Sequence, residues 1–390
     1  MNVLVDFTQV PLQRTGVGAY AENLVRQLPS LLHPDEQLFL LLQSDEESVP
    51  RSLAGRDNVH FIRVPSRVFR NRMLLMLFEQ TVLPVIAATR RIDVLHSLHY
   101  TLPLWASAAR VVTFHDLTML LWPRLHTLGR RAIFPTYMRF AWKRADAILF
   151  VSESTRRDAE RLFPPSSKIR AVAPLGIGSE ADIPIPAAGI SEELGKLHLS
   201  RPWLLFVGTI EPRKNLVVLI QAFDRIAGQF PDCTLVLAGK LGWNYEPTLR
   251  AMAASPFRER IRHLGYVSDQ TRRCLLAGCS ALVYPSLYEG FGLPVLEGMA
   301  AGAPVVTSNI SSLPEIAGEA ALLISPESVD ELAGALRKVL TGGLAQELRE
   351  RGPKQAALFT WRRTAAETLA VYRAVCQARR DSARRGKPGR

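Results

Sequence analysis

Short apolar runs rich in Val, Ile and Leu alternate with helical patterns along most of this 390-residue chain, and they fall into two sets. The first set is VLVDF, LFLLLQ, VHFIRV, DVLHS, RVVTFHD and AILFVS; the second is LLFVGT, TLVLAG, IRHLGY, ALVYPS, APVVTS and ALLIS. Each run is continuous instead of alternating, the pattern of parallel strands covered by helices on both faces. A strand–helix rhythm repeated in two sets predicts two doubly wound α/β domains, and the length is sufficient for two cores. Between the sets, from about Pro174 to Arg201, lies GIGSEADIPIPAAGISEE, rich in Gly, Pro and small residues, which reads as the interdomain linker. The expected domains are 1–180 and 198–359, with a last helix at about 360–378 returning to the first. A ligand held by both domains would occupy the cleft outside the carboxyl ends of the strands.

Composition narrows the class. An apolar fraction of 47% and a charged fraction of 22% suit an ordinary globular protein. No stretch of about eighteen apolar residues runs without a charge, so no transmembrane helix is expected. The start, MNVLVDFTQV, lacks the features of a signal peptide. Cys233, Cys274, Cys279 and Cys376 show neither metal-ligand nor CxxC spacing and read as reduced thiols of a cytosolic protein. The net charge is +12, and the stretch Arg379–Arg390 holds six basic residues against one acidic. Such a run is either a solvated tail or a patch for anionic lipid headgroups. No recognition motif accompanies it, so nucleic acid is not an expected partner.

The most informative segment is ALVYPSLYEGFGLPVLEGMAAGAPVVTS, residues 281–308. A strand ends at Pro285, a Gly-containing loop follows, and a helix begins near Leu293 with Pro294 in its first turn, where a missing N–H costs nothing. The first-turn amides, approached closely over Gly290 and Gly292, suit an anion such as a diphosphate. Glu289 precedes the helix and Glu297 lies about one turn inside it; side chains lean toward the helix N-terminus, so both carboxylates can address one ligand. A second segment, FVGTIEPRKNL, places Arg213 and Lys214 just after a strand ending at Gly208. Two adjacent cations there suit a diphosphate whose charge grows as a leaving group.

The first half offers less. Gly16 and Gly18 are read in a loop before the helix AYAENLVRQL, where glycines admit a close ligand. GVGAYA matches a dinucleotide fingerprint, but the loop from Thr8 to Thr15 is too long and no acidic strand-end residue follows at the right distance, so no redox cofactor is expected. His115, beside Asp116 after RVVTF, is structural or catalytic; His96 and His99 read as packing or acceptor-side residues, without the neighbours a metal site needs. The apolar stretch Arg70–Arg91 is a buried domain helix or, with Arg67, Arg70 and Arg72 close to Met73, Leu74 and Leu75, an attachment to an anionic membrane.

With its E-x7-E spacing, the 281–308 segment resembles the family-4 glycosyltransferases, retaining enzymes built on two Rossmann-like domains (the GT-B fold). The resemblance extends to FVGTIEPRKNL, LVLAGKLGW, GYVSD, SLPEIAGEAALLISP and FTWRRTAAETLAVYRAV, and within the family it is nearest the mannosyltransferase-like branch that builds bacterial surface polysaccharides. It implies that Glu289 contacts the donor sugar, that Glu297 bonds the ribose, and that the backbone of Gly290, Phe291, Gly292 and Leu293 meets the sugar and diphosphate. It implies that His115 faces the donor sugar and that main chain near Tyr266 and Val267 borders the base. Relatives often carry Arg where Thr209 stands here, so Arg213 and Lys214 have to supply the charge between them. The implied reaction is transfer with retention from a nucleotide sugar, GDP-mannose first, to a glycan or lipid-linked acceptor. No D-x-D-like pair calls for a metal, and no cofactor is expected. An epimerase, a phosphorylase and a non-catalytic scaffold are the other readings.

Overall fold

The computed structural model describes the chain except for residues 11–15, 54, 68–71, 178–185 and 386–390. Arg70, the middle of the linker stretch and the end of the basic tail lie outside the described residues. Seven parallel strands form one sheet: β1 (Asn2–Asp6), β2 (Gln37–Gln43), β3 (Val59–Val64), β4 (Val94–Ser97), β5 (Ala109–Phe114), β6 (Ala147–Phe150) and β7 (Ile169–Val172). Six more form a second: β8 (Trp203–Val207), β9 (Thr234–Ala238), β10 (Ile261–Gly265), β11 (Ala281–Tyr284), β12 (Val305–Ser308) and β13 (Leu322–Ile324). Every run read as a strand is one. The strand not read is β7, IRAV, which is only half-buried throughout and carries Arg170, so it lacks the apolar continuity of the others.

The spatial orders are β3-β2-β1-β4-β5-β6-β7 and β10-β9-β8-β11-β12-β13. In each sheet the winding reverses beside the founding strand, between β1 and β4 and between β8 and β11, and doubly wound sheets bind ligands outside the strand ends at that point. The chain divides into two compact units. The first is Met1–Leu121, Leu128–Gly176 and Thr360–Arg390; the second is Trp122–Thr127 and Ile177–Phe359. Within the stretch read as linker, Ala187–Lys196 forms a helix, and its Glu193 Oε1 accepts a hydrogen bond from Thr271 Oγ1 at 2.5 Å.

In the first unit, Leu4, Leu41, Leu95 and Phe78 belong to one core cluster and Phe114, Phe150, Met138 and Trp142 to another. The last helix, Trp361–Arg385, is bound to this unit: its Tyr372 hydroxyl meets His96 Nδ1 at 2.6 Å, and its Thr364 Oγ1 donates to Pro174 O at 2.5 Å. The helix Arg72–Thr89 corresponds to the ambiguous apolar stretch, and it is neither wholly buried nor wholly free. Phe78, Leu83 and Ala87 are buried, whereas Met73 is 79% exposed and Leu77 and Val85 are each 59% exposed. No helix among the described residues is long and apolar enough to cross a membrane.

Candidate functional site

In the second unit, the loop after β11 and the turn after β8 meet at the switch point, and they bring four charged side chains together. The segment Pro212–Lys214 is a single 3-10 turn, started by Pro212 and closed by Asn215 in the left-handed region at φ 58°. Asn215 Nδ2 donates to the carbonyls of Pro285 and Pro326, at 3.2 and 2.6 Å, which fixes the turn against the neighbouring strand ends. Glu289 receives Arg213 Nη1 on Oε2 and Lys214 Nζ on Oε1, both at 2.5 Å. Glu211 Oε1 accepts from Arg213 Nε at 3.0 Å and from Nη2 at 2.7 Å. Lys214 Nζ also donates to the Tyr284 hydroxyl at 2.6 Å.

Glu211, Lys214 and Glu289 are all buried. A buried charge is tolerable only when paired and hydrogen-bonded, and here each acid has a cation and each cation an acid. Burial alone would raise the Glu289 carboxyl, but Arg213 and Lys214 outweigh it and hold the group down at about 2. Burial, then Arg213, pull the Lys214 ammonium down, against the opposing pull of Glu289. The quartet is therefore internally neutral, and any anion drawn to its cations has to share them with Glu289. Arg213 is engaged by two carboxylates and by the Tyr288 carbonyl at 2.9 Å. Lys214 uses two of its three protons on Tyr284 and Glu289, which leaves it the better placed of the two to reach another anion.

The loop itself is staked from behind. Ser311 Oγ accepts from Glu289 N at 3.0 Å, and Ser312 Oγ bonds the carbonyls of Glu289 and Phe291, at 2.9 and 2.5 Å. Phe291 is buried edge-to-face on Phe359, so its backbone and not its ring is offered outward. Gly292 sits at φ 118° ahead of the helix Leu293–Ala300, and a Cβ there would lie 2.8 Å from Leu313 Cδ2. Only glycine fits that position.

Glu297 lies in the helix Leu293–Ala300, as its spacing predicts, but it has a different partner from Glu289: Arg272, on the helix Asp269–Gly278, pairs with its Oε2. Tyr266 is exposed and Val267 half-buried, both just past the end of β10. Neither Glu211 nor Arg272 was singled out from sequence. A Glu two residues before an Arg is a common surface pattern, and Arg272 is separated from Glu297 by a full strand and loop.

In the first unit, the helix starts at Gly16 and includes Gly18, so these glycines are not in a loop. The first turn of a helix has no internal partners for its amides, so glycine there costs less than in the interior, and the helix extends further back than its apolar pattern. Tyr20, on the same helix, packs edge-on to His115, with ring centroids 5.0 Å apart. His115 Nε2 lies 2.8 Å from the Leu98 carbonyl, which can only accept; Nε2 therefore carries the proton and Nδ1 is the acceptor. Burial lowers its pKa, so the ring is neutral. His96 is buried between Tyr372 and Thr113 Oγ1, the latter at 2.8 Å, and is a packing residue. His99 stacks edge-on with Tyr100 and His115. Among the described residues no three His, Cys, Asp or Glu side chains are grouped to hold a metal.

Comparison with known proteins gives a consistent picture. Residues 194–357 match the model of glycosyl transferases group 1, and residues 15–174 match a glycosyl transferase 4-like domain. The O-antigen chain mannosyltransferase B of Escherichia coli is 30% identical over 385 residues, covering 96% of this chain and 100% of that one. The serotype-specific mannosyltransferase WbdA of Escherichia coli is 30% identical over 297 residues, 74% of this chain and 36% of that protein. Among solved structures, sucrose-phosphate synthase from Thermosynechococcus elongatus superposes with a TM-score of 0.75 at 18% identity, covering 97% of this chain and 100% of that one.

Proposed function

Since the chain belongs to the family-4-type glycosyltransferases of GT-B fold, we propose that it moves a mannosyl residue from GDP-mannose to a glycan or lipid-linked acceptor in surface-polysaccharide synthesis. The observation that carries this reading is the clamping of Glu289 between Arg213 and Lys214, directly ahead of the helix Leu293–Ala300. Lys214 and the first-turn amides receive the diphosphate. Glu289 takes a hydroxyl of the sugar and Glu297, held by Arg272, takes the ribose. Mannose as the donor sugar is supported by the names of the two Escherichia coli relatives above, both mannosyltransferases.

Transfer proceeds with retention: the leaving diphosphate, stabilised by Lys214, accepts the proton of the attacking hydroxyl on the same face of the sugar. His115, neutral with Nδ1 as acceptor, is the first unit's candidate for a contact with the donor sugar, and neither metal nor cofactor is needed. The exposed apolar side of the helix Arg72–Thr89 rests on an anionic membrane surface, where a lipid-linked acceptor would be met. Trp105, 79% exposed, extends that side, since its loop is tied to the helix through Gln80, which bonds Leu102 O and Leu104 N.

The test is hydrolysis and transfer with a panel of GDP-, UDP- and ADP-sugars. Turnover of GDP-mannose above all others is expected. Preference for another base or sugar would overturn the donor assignment, and no turnover with any donor would favour a scaffold.

A further inference from the structure

A pocket of about 310 Å³ opens in the second unit, lined by Trp122, Leu287, Asn309, Ile310, Ser325 and Glu327 among its residues. Leu287, Asn309 and Ser325 lie just beyond the ends of β11, β12 and β13, the same edge of the sheet that carries the charged quartet. Leu287 is two residues ahead of Glu289, and its amide donates to Arg213 O at 2.9 Å. Trp122 is 42% exposed. Its segment is fixed within the second unit by Trp243, whose Nε1 donates to Leu125 O at 2.6 Å and whose ring stacks on His126, with centroids 5.8 Å apart.

The size is at the lower end for small-molecule sites, roughly 300–1,000 Å³. The lining combines one flat indole with an amide, a hydroxyl and a carboxylate. Ser325 Oγ accepts from Glu327 N at 3.4 Å and keeps its own proton to donate. Glu327 is the single charged residue of the lining, and there is no cation, so a phosphate-bearing ligand is disfavoured. A hexopyranose is the complementary shape: one face of C–H groups for the indole and a rim of hydroxyls for Asn309, Ser325 and Glu327.

We infer that this pocket is a saccharide subsite that holds a neutral hexose unit of the acceptor, beside the donor loop and separate from the diphosphate network. The assignment of that sugar to the acceptor rests on the transferase reading above; the binding of a hexose does not.

Saturation-transfer NMR on the full chain, with methyl α-mannoside, α-glucoside and α-galactoside as probes and GDP binding measured in parallel, tests it. At least one glycoside should bind, and Trp122→Ala should weaken it roughly fivefold, the loss of one stacking contact, with GDP affinity unchanged and Trp122→Phe close to wild type. In transfer assays the same Ala variant should raise KM for acceptor and leave KM for donor alone. Absence of glycoside binding to the wild type, unchanged binding to Trp122→Ala, displacement of the glycoside by GDP, or competition by choline would overturn the proposal. Intact glycoside binding with no GDP binding would support the pocket and count against the donor reading.

Discussion

Lys214 Nζ lies 2.5 Å from Glu289 Oε1, and both groups are buried. The pair is held by residues from two strand ends, the turn after β8 and the loop after β11, so it also locks the two loops together. Breaking a buried pair on one side strands the other charge, which is costly.

Lys214→Ala is expected to lower turnover by roughly a hundred- to thousandfold, the usual loss of one donor facing a developing anion. It should weaken binding of a nucleoside diphosphate more than of the bare nucleoside, measured by calorimetry. Equal losses for the two ligands would argue against a phosphate role.

Glu289→Gln should act on kcat, and Glu297→Ala on KM for the donor, if the proposed roles hold, the first at the sugar and the second at the ribose. Arg272→Ala should resemble Glu297→Ala, since the Glu297 carboxylate loses its anchor. Steady-state kinetics separate the cases. An Arg272→Ala enzyme with wild-type donor KM would remove Arg272 from the site.

Stability of the first unit should vary with pH in a direction set by two buried groups. Burial, with Asp6 adding to it, pushes the Glu79 carboxyl up to about 8 from 4.5. The folded protein keeps a proton that the unfolded chain releases, so stability falls as pH rises from 4.5 through about 8. Burial and then His115 pull His96 down to about 3 from 6.5, so stability also falls as pH drops from 6.5 toward 3. Glu79→Gln should raise the Tm at about pH 9 and change it little at about pH 5. A Tm gain that is the same at both would refute the Glu79 assignment.

The helix Arg72–Thr89 gives a prediction independent of catalysis. Leu77→Glu with Val85→Glu should abolish cosedimentation with vesicles rich in phosphatidylglycerol and leave donor hydrolysis unchanged. Wild-type binding should weaken as salt rises. Failure of the wild type to bind such vesicles at low salt would end the membrane reading.

Much of this architecture is legible because it is local. Continuous apolar runs mark buried parallel strands, and the Gly-Phe-Gly-Leu-Pro sequence marks a loop-to-helix step, so twelve strands and the Glu289 loop follow from periodicity and turn chemistry. β7 escapes because Arg170 breaks its apolar run. The helix start at Gly16 escapes because helical propensity argues against glycine, while the first turn tolerates it. Partnerships across the fold leave no local trace: Arg213 with Glu289, Arg272 with Glu297, and His96 with Tyr372, 276 positions apart, are visible only once the strands are ordered.

That last contact bears on how the protein is made. The first unit is interrupted, since Ile177–Phe359 is synthesised between its sheet and the helix Trp361–Arg385 that covers it. As the chain leaves the ribosome, the second unit has all but Trp122–Thr127 within one continuous stretch and can close early, while the His96 face of the first waits for Tyr372. Nascent chains paused before residue 360 would therefore expose apolar surface on the amino-terminal sheet, and that surface is what a chaperone would hold during translation.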